Sequence, residues 1–283
     1  MTIRLLEYKP ATAADNMAID EAILEAHLQG LVPPTLRLYS FEPATVSLGY
    51  AQDLPSETID AIGRRGFDLV RRPTGGRAVL HASELTYSFV CMSTGADRSM
   101  CDSSAGLPAN AGAPAATSTL AEPLLLSASV ATAYKQICRG LLKAMQNLGL
   151  ELELGASNAA YRGMDDCFMA VTSADLHFRG KKMIGSAQLR RKGAILQHGS
   201  ILLDQDQNLM GSITGSEVQA QQAQHHANLF EALGRRVSCE ELQSALKAGF
   251  ESAFERELVA APLTKDELAI AEELRPKYLK LER

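Results

Sequence analysis

Apolar residues recur at helical spacing over 16–28, where Ile19, Ala22, Ile23 and Ala26 share a stripe, and Asp15 stands where an N-cap would accept backbone N–H bonds. Pro33 and Pro34 end that helix. The pattern then shortens to strand-like runs over 36–41 and 45–48, expected to be neighbours across a short turn, followed by a short helix over 59–65 and a strand over 67–70. Another strand is expected around 85–91. Helical periodicity returns over 127–148, with Val130, Tyr134, Ile137, Leu141, Met145 and Leu148 on one side and Gly149 as the stop. Period-two runs over 167–171, 175–178, 182–189 and 195–203 predict consecutive strands, with Arg179-Gly180 and Lys192-Gly193 as hairpin turns. Two helices close the chain, each opened by a capping-box pattern, Ser238 to Glu241 and Thr264 to Glu267. Strands and helices mix without regular βαβ alternation, which points to an α+β architecture of mixed β-sheets flanked by helices.

The stretch at about 94–122 breaks this picture. Ala, Ser, Gly, Thr and Pro dominate it, and little in it can pack a core, so it is expected to be a disordered surface insertion. Elsewhere the composition is that of an ordinary globular chain: 283 residues, 46% hydrophobic, 22% charged, with a net charge of −5. The basic residues are scattered, so the footprint of a nucleic-acid binder is missing. The sequence also has no apolar signal core or bilayer-length apolar run, and a cytoplasmic protein without membrane association is expected.

Five cysteines, Cys91, Cys101, Cys138, Cys167 and Cys239, form no CxxC pair, and their odd number and wide spacing argue against a disulfide framework or a zinc site. Free thiols are expected, with no metal. Cys101 falls in the low-complexity stretch, Cys138 beside an apolar helical stripe, and Cys239 in the first turn of a helix with no base nearby.

Three segments carry polar groups beside glycines. In Arg71-Arg72-Pro73-Thr74-Gly75-Gly76-Arg77-Ala78-Val79-Leu80-His81, paired glycines after a strand let backbone N–H groups approach a ligand, with Arg72 and His81 on the same rim; a plain hairpin turn with solvated arginines accounts for it equally well. In Gly180-Lys181-Lys182-Met183-Ile184-Gly185-Ser186-Ala187-Gln188, a lysine precedes small residues that would let an acyl chain lie against backbone, although such lysines are usually only solvated. In Gln197-His198-Gly199-Ser200, a histidine and a glycine head an apolar strand, where a lone histidine is more often structural than catalytic.

In this order, the three segments resemble the biotin/lipoate protein ligase catalytic family, whose members carry an RRxxGG…H segment, a KxxGSA segment and a strand opening with His-Gly. The resemblance runs over about residues 14–250 apart from the low-complexity stretch, and includes Asn16-Met17-Ala18-Ile19-Asp20-Glu21 and Leu36-Arg37-Leu38-Tyr39. It implies a single catalytic domain over 1–283, with its core at about 31–250 and a helical extension at about 255–283. Arg77 replaces a third glycine, and Ala82 to Ser88 replaces the D-x-G-N-x-N run of ATP-dependent lipoate ligases. The segments GGRAVLH, ELTYSF and Asp166-Cys167-Phe168 ahead of KKMIGSAQ are instead similar to the octanoyltransferases of the LipM type, in which the cysteine of that last segment is the nucleophile.

The resemblance thus implies Cys167 as nucleophile, Lys182 as its activator, and Arg72, Gly75, Gly76, His81, Gly185, Ser186, His198 and Gly199 as the substrate-binding wall. Chemistry agrees with the choice of residue type: transfer of an acyl group without ATP needs an intermediate that keeps thioester reactivity, which a cysteine provides, and a nearby ammonium lowers a thiol pKa. Octanoyl-acyl carrier protein would be the donor, and the acceptor a lysine of a lipoyl domain such as the glycine cleavage H protein. No cofactor is implied, and a monomer is expected. Three rival readings remain: an ATP-dependent lipoate ligase, an amidotransferase between lipoyl proteins, and a non-catalytic binder of acylated carriers.

Overall fold

The computed structural model describes residues 2–95, 123–155, 175–204, 209–210 and 226–281. Cys101, Cys167, the expected strand at 167–171 and nearly all of the expected insertion at 94–122 lie outside them.

The chain opens with a strand that the sequence reading missed, β1 (Ile3–Ala11), whose polar residues Arg4, Glu7 and Lys9 disguise it. Helix α1 (Ala13–Leu28) follows; its N-cap is Thr12, whose side chain accepts from the Asp15 N–H, rather than Asp15 itself. Next come β2 (Thr35–Phe41), β3 (Thr45–Leu48), α2 (Ser56–Arg64), β4 (Asp68–Arg71), β5 (Val79–His81) and β6 (Glu84–Ser93). The short β7 (Leu125–Leu126) precedes α3 (Val130–Asn147), β8 (Glu153–Leu154), β9 (Leu176–Phe178), β10 (Lys181–Arg191) and β11 (Ala194–Leu202). Then α4 (Leu229–Leu233), α5 (Cys239–Phe254), β12 (Leu258–Ala260) and α6 (Lys265–Leu279) complete the described chain. Both expected hairpin turns form, with φ of 49° at Arg179 and 77° at Gly180, and 47° at Lys192 and 85° at Gly193, the left-handed pairs that tight hairpins require. Thr264 completes its capping box with Glu267, and the Ser238 side chain accepts from the Glu241 N–H.

Two sheets result. The larger runs β12-β1-β2-β6-β11-β10-β9-β8, with β7 beside β6, and mixes parallel pairs (β12/β1, β1/β2) with antiparallel ones (β2/β6, β6/β11, β11/β10). The smaller runs β4-β3-β5. The strands β2 and β3, expected to be neighbours, therefore belong to different sheets: the chain crosses from one to the other at 42–44.

Period-two alternation gives the large sheet two unlike faces. Leu36 and Leu38 of β2, Leu85, Tyr87, Phe89 and Cys91 of β6, and Ile195 and Ile201 of β11 point into one apolar core under α3 and α5. The residues between them point the other way, toward α1. On the central strands these include Arg37 and Tyr39, Thr86 and Ser88, and His198 and Ser200, all buried. Polar side chains enclosed in this way need partners, and they find them in one another and in α1.

Helix α1 is itself enclosed, between the sheet and α6, and so is buried on nearly every side. The segment beyond 255 is thus part strand and part helix: β12 pairs with β1, and α6 is tied down by a two-pronged ion pair of Glu267 with Arg4, one bond of which measures 2.7 Å. Neither side chain is more than 5% exposed. Removing one partner leaves an uncompensated buried charge, so Glu267→Ala is expected to lower unfolding free energy by about 3 kcal/mol. Urea denaturation checks this, and Arg235→Ala at the exposed Arg235–Glu241 pair should move the midpoint far less.

Candidate functional site

The polar face of the large sheet and the small sheet meet over a cavity whose walls come from α1 (Met17), β2 (Tyr39, Phe41), β3 (Ser47), β5 (Val79, His81), β6 (Thr86), β10 (Gly185, Ser186, Ala187) and β11 (His198, Gly199, Ser200), together with Arg72. Six residues nominated from sequence, Arg72, His81, Gly185, Ser186, His198 and Gly199, therefore share one cavity. The antiparallel register of β10 and β11 explains four of them: Gly185 lies opposite Ser200, Ser186 opposite Gly199, and His198 opposite Ala187. A Cβ at Gly199 would come within 2.4 Å of the Gly185 carbonyl oxygen and 2.9 Å of the Tyr87 ring, so only glycine fits there.

Two hydrogen-bonded chains run through the walls, each a carboxylate, a histidine and a hydroxyl. In the first, Asp20 is fully buried on α1. Its Oδ1 accepts from Arg37 Nη1 at 2.7 Å and Ser88 Oγ at 2.8 Å, and its Oδ2 from the Tyr39 hydroxyl at 2.8 Å. His198 Nδ1 lies 3.1 Å from Oδ2, and His198 Nε2 is 2.6 Å from Thr74 Oγ1. Burial alone would raise the Asp20 pKa, but Arg37 and His198 hold it below the usual carboxylate range. Burial lowers that of His198 despite Asp20, so the contact is that of a neutral imidazole with a carboxylate rather than an ion pair. In the second chain, Glu84 Oε1 is 3.2 Å from His81 Nδ1, Ser47 Oγ is 2.9 Å from His81 Nε2, and Phe41 lies against the His81 ring at 4.1 Å between centroids.

Arg72 joins the second chain to the glycine turn. It donates to the carbonyl and hydroxyl of Ser47 at 3.0 and 3.2 Å, and curls back to the carbonyls of Gly75 at 2.9 Å and Arg77 at 2.7 Å. Gly75 and Gly76 do not line the cavity wall but form the turn beside it. Gly76 has φ of 101°, and its carbonyl crowds Gly49 so closely that a Cβ there would clash at 2.0 Å. Arg71 instead ties the neighbouring loop, donating to the carbonyls of Gly49, Tyr50 and Gln52.

Lys182 lies farther along β10 and outside that wall. It is 1% exposed, with its ammonium 3.0 Å from Asp175 Oδ1, and Asp175 is equally enclosed. Cys167 lies outside the described residues. Of the other thiols, burial pushes Cys138 up to about 12 and raises Cys91 as well, so both are neutral packing groups at physiological pH.

Sequence reasoning missed Asp20, Thr74, Ser47, Glu84 and Asp175. Asp20 did leave a signal, a carboxylate inside the apolar run Met17 to Ile23, and Glu84 another, ahead of the apolar strand Leu85 to Cys91.

The family model of the lipoyl protein ligase A/B catalytic domain matches residues 12–104 and 120–251. The chain belongs to this family. The interruption in the match falls within the low-complexity stretch. Among curated relatives in the family, the octanoyltransferase LipM of Brevibacillus brevis is 40% identical over 97% of this chain and 95% of its own length. That of Kyrpidia tusciae is 37% identical over 98% and 96%, and that of Bacillus subtilis 33% over 94% and 91%. Among solved structures, a lipoate-protein ligase A bound with ATP superposes with a TM-score of 0.73 at 24% identity, over 98% of this chain and 95% of that one, which shows the fold of the family. Among the described residues no helix is long and apolar enough to cross a membrane.

Burial sets a pH dependence. His27, His177 and His198 are all held below the usual imidazole pKa by desolvation. The unfolded chain therefore takes up protons that the folded chain refuses as pH falls below about 6.5. Unfolding free energy is expected to be level on this account above that pH and to decline between pH 6.5 and 5; urea midpoints measured across the range, with His27→Gln showing a shallower decline, check it.

Proposed function

We propose that this protein moves an octanoyl group from octanoyl-acyl carrier protein to a lysine of a lipoyl domain, such as that of the glycine cleavage H protein, in lipoate biosynthesis. The observation that carries the reading is the identity of 33–40% with octanoyltransferases over nearly the whole of both chains. The shared cavity of the glycine, histidine and arginine residues supports it, since it combines backbone approach with polar groups beside Met17, Phe41 and Val79.

In this reading the Cys167 thiolate attacks the donor thioester carbonyl, the carrier's thiolate leaves, and an octanoyl-cysteine thioester remains. The deprotonated ε-amine of the acceptor lysine then attacks that thioester, forming the amide and releasing the Cys167 thiolate, while the proton lost from nitrogen ends on the carrier thiol. Lys182 supplies the ammonium that favours the thiolate form of Cys167. A buried lysine ordinarily sheds its proton, and the carboxylate of Asp175 at 3.0 Å counters that tendency. The reaction needs no nucleotide or metal. A monomer working in the cytoplasm is part of the same reading.

Intact-mass measurement after incubation with octanoyl-acyl carrier protein alone tests it. An octanoyl adduct is expected on the parent and on Cys138→Ala, and none on Cys167→Ser. Lys182→Met should slow adduct formation by on the order of 100-fold. Dependence on ATP with free octanoate would indicate a ligase, and transfer from octanoyl-H protein but not from the carrier an amidotransferase; either result would sink the proposal.

A further inference from the structure

Beside the cavity, and sharing Arg72 with it, lies a second recess of about 230 Å³ between the end of β4, the end of β10 and α6, with room for several waters or a tetrahedral anion. Its lining includes Tyr50, Arg71, Arg72, Arg191, Lys277 and Tyr278: four cations and, among the described residues, no carboxylate. In a chain of net charge −5 this concentration of positive charge is local and does not follow from composition.

The cations are held from behind. Glu21 of α1, buried, accepts from Arg191 Nη2 at 2.7 Å, from Lys277 Nζ at 2.6 Å and from the Tyr278 hydroxyl, and Glu25 accepts from Arg191 Nη1. Arg71 Nη1 donates to the carbonyls of Gly49 at 3.2 Å and Tyr50 at 3.1 Å, and its Nη2 to Asp53 at 3.3 Å. Glu21, Glu25 and Asp53 partly offset the positive charge without lining the recess. Side chains already fixed in this way lose little freedom when an anion binds. They also keep donors in hand: an ammonium has three N–H bonds, and among the described residues Glu21 takes one from Lys277. Arg71 is the clearest case. Its side chain is 10% exposed, yet its Nε–H is buried without a hydrogen-bond partner among the described residues. A buried donor left unpaired is costly. Arg71 lines the recess, and an anion seated there would bring the acceptor that the chain does not.

We propose that this recess binds the phosphodiester of the phosphopantetheine arm on which an acyl carrier protein holds its octanoyl group, with Arg71, Arg191 and Lys277 as the recognising cations. This rests on the octanoyl-transfer reading for its substrate. Guanidinium forks and an ammonium suit the oxygens of a phosphate ester. Arg72 borders both spaces, so an arm seated by its phosphate in the recess lies alongside the cavity.

The test compares octanoyl-phosphopantetheine with octanoyl-pantetheine, which lacks only the phosphate, as small donors to the full chain, with formation of the octanoyl adduct as the readout. The phosphorylated donor is expected to react at about 10-fold lower concentration. Lys277→Gln should cut that preference to about threefold or less, whereas Lys277→Arg should keep it, as should Lys143→Gln, which removes the same charge from α3. Each preference is a ratio within one variant, so a partly unfolded sample does not alter it. Calorimetry with unacylated phosphopantetheine and with pantetheine is independent of turnover: the parent is expected to bind the first about 10-fold more tightly, and Lys277→Gln to lose the difference. Equal binding of the two compounds, or a preference that survives Lys277→Gln, overturns the proposal. ADP bound as tightly as phosphopantetheine, with the same dependence on Lys277, would assign the recess to a nucleotide and overturns it as well. A parent that forms no octanoyl adduct refutes the functional reading, while the calorimetry still decides whether the recess holds a phosphate ester.

Discussion

A carboxylate sealed from water stays ionised only when donors surround it, and Asp20 has four: a guanidinium, a phenol, a serine hydroxyl and an imidazole. Those donors come from β2, β6 and β11, so the helix that carries Asp20 is located against three strands at once. Apolar packing alone would let α1 slide by a fraction of a turn at modest cost, whereas a directional network of this kind admits one register. The cavity inherits that precision, because His198 and Tyr39 are both donors to Asp20 and members of the cavity wall.

The unlike faces of the central sheet explain how a polar site can sit so deep. On one face the alternating residues build the core with α3 and α5; on the other, the intervening residues are polar and satisfied by each other. The cost of enclosing them is offset by hydrogen bonding within the group and by the apolar opposite face. The second chain, from Glu84 through His81 and Ser47 to Arg72, extends the same solution across the gap to the small sheet.

Periodicity made most of the framework legible. The runs at 36–41, 182–189 and 195–203, the long helix ending at Gly149 and both hairpin turns are all found at or near the expected positions, because each rests on local chemistry: alternation, a stop glycine, or a left-handed pair. The opening strand escaped because Arg4 is a charged residue placed inside the protein, a choice intelligible only once Glu267, 263 positions away, is beside it. The separation of β2 from β3 escaped for a similar reason, since a short link between strands reads the same whether it turns within one sheet or steps to another. The glycine and histidine positions of the site were legible as segments, and their convergence follows from strand register. What the sequence could not display was the wiring between them, which joins α1, β11 and the glycine turn across more than a hundred residues of chain.

The manner in which the last strand and helix attach has a practical corollary for dissecting the protein. Strand β12 covers the outer edge of β1, and α6 covers the outer side of α1, yet both fall beyond residue 251, where the family match stops. A fragment ending at residue 251 would retain every cavity-lining residue and still present the bare edge of β1 together with an uncovered helix flank carrying Met17 and Ala14. Self-association in such a fragment would reflect that lost cover and would say nothing about the oligomeric habit of the intact chain.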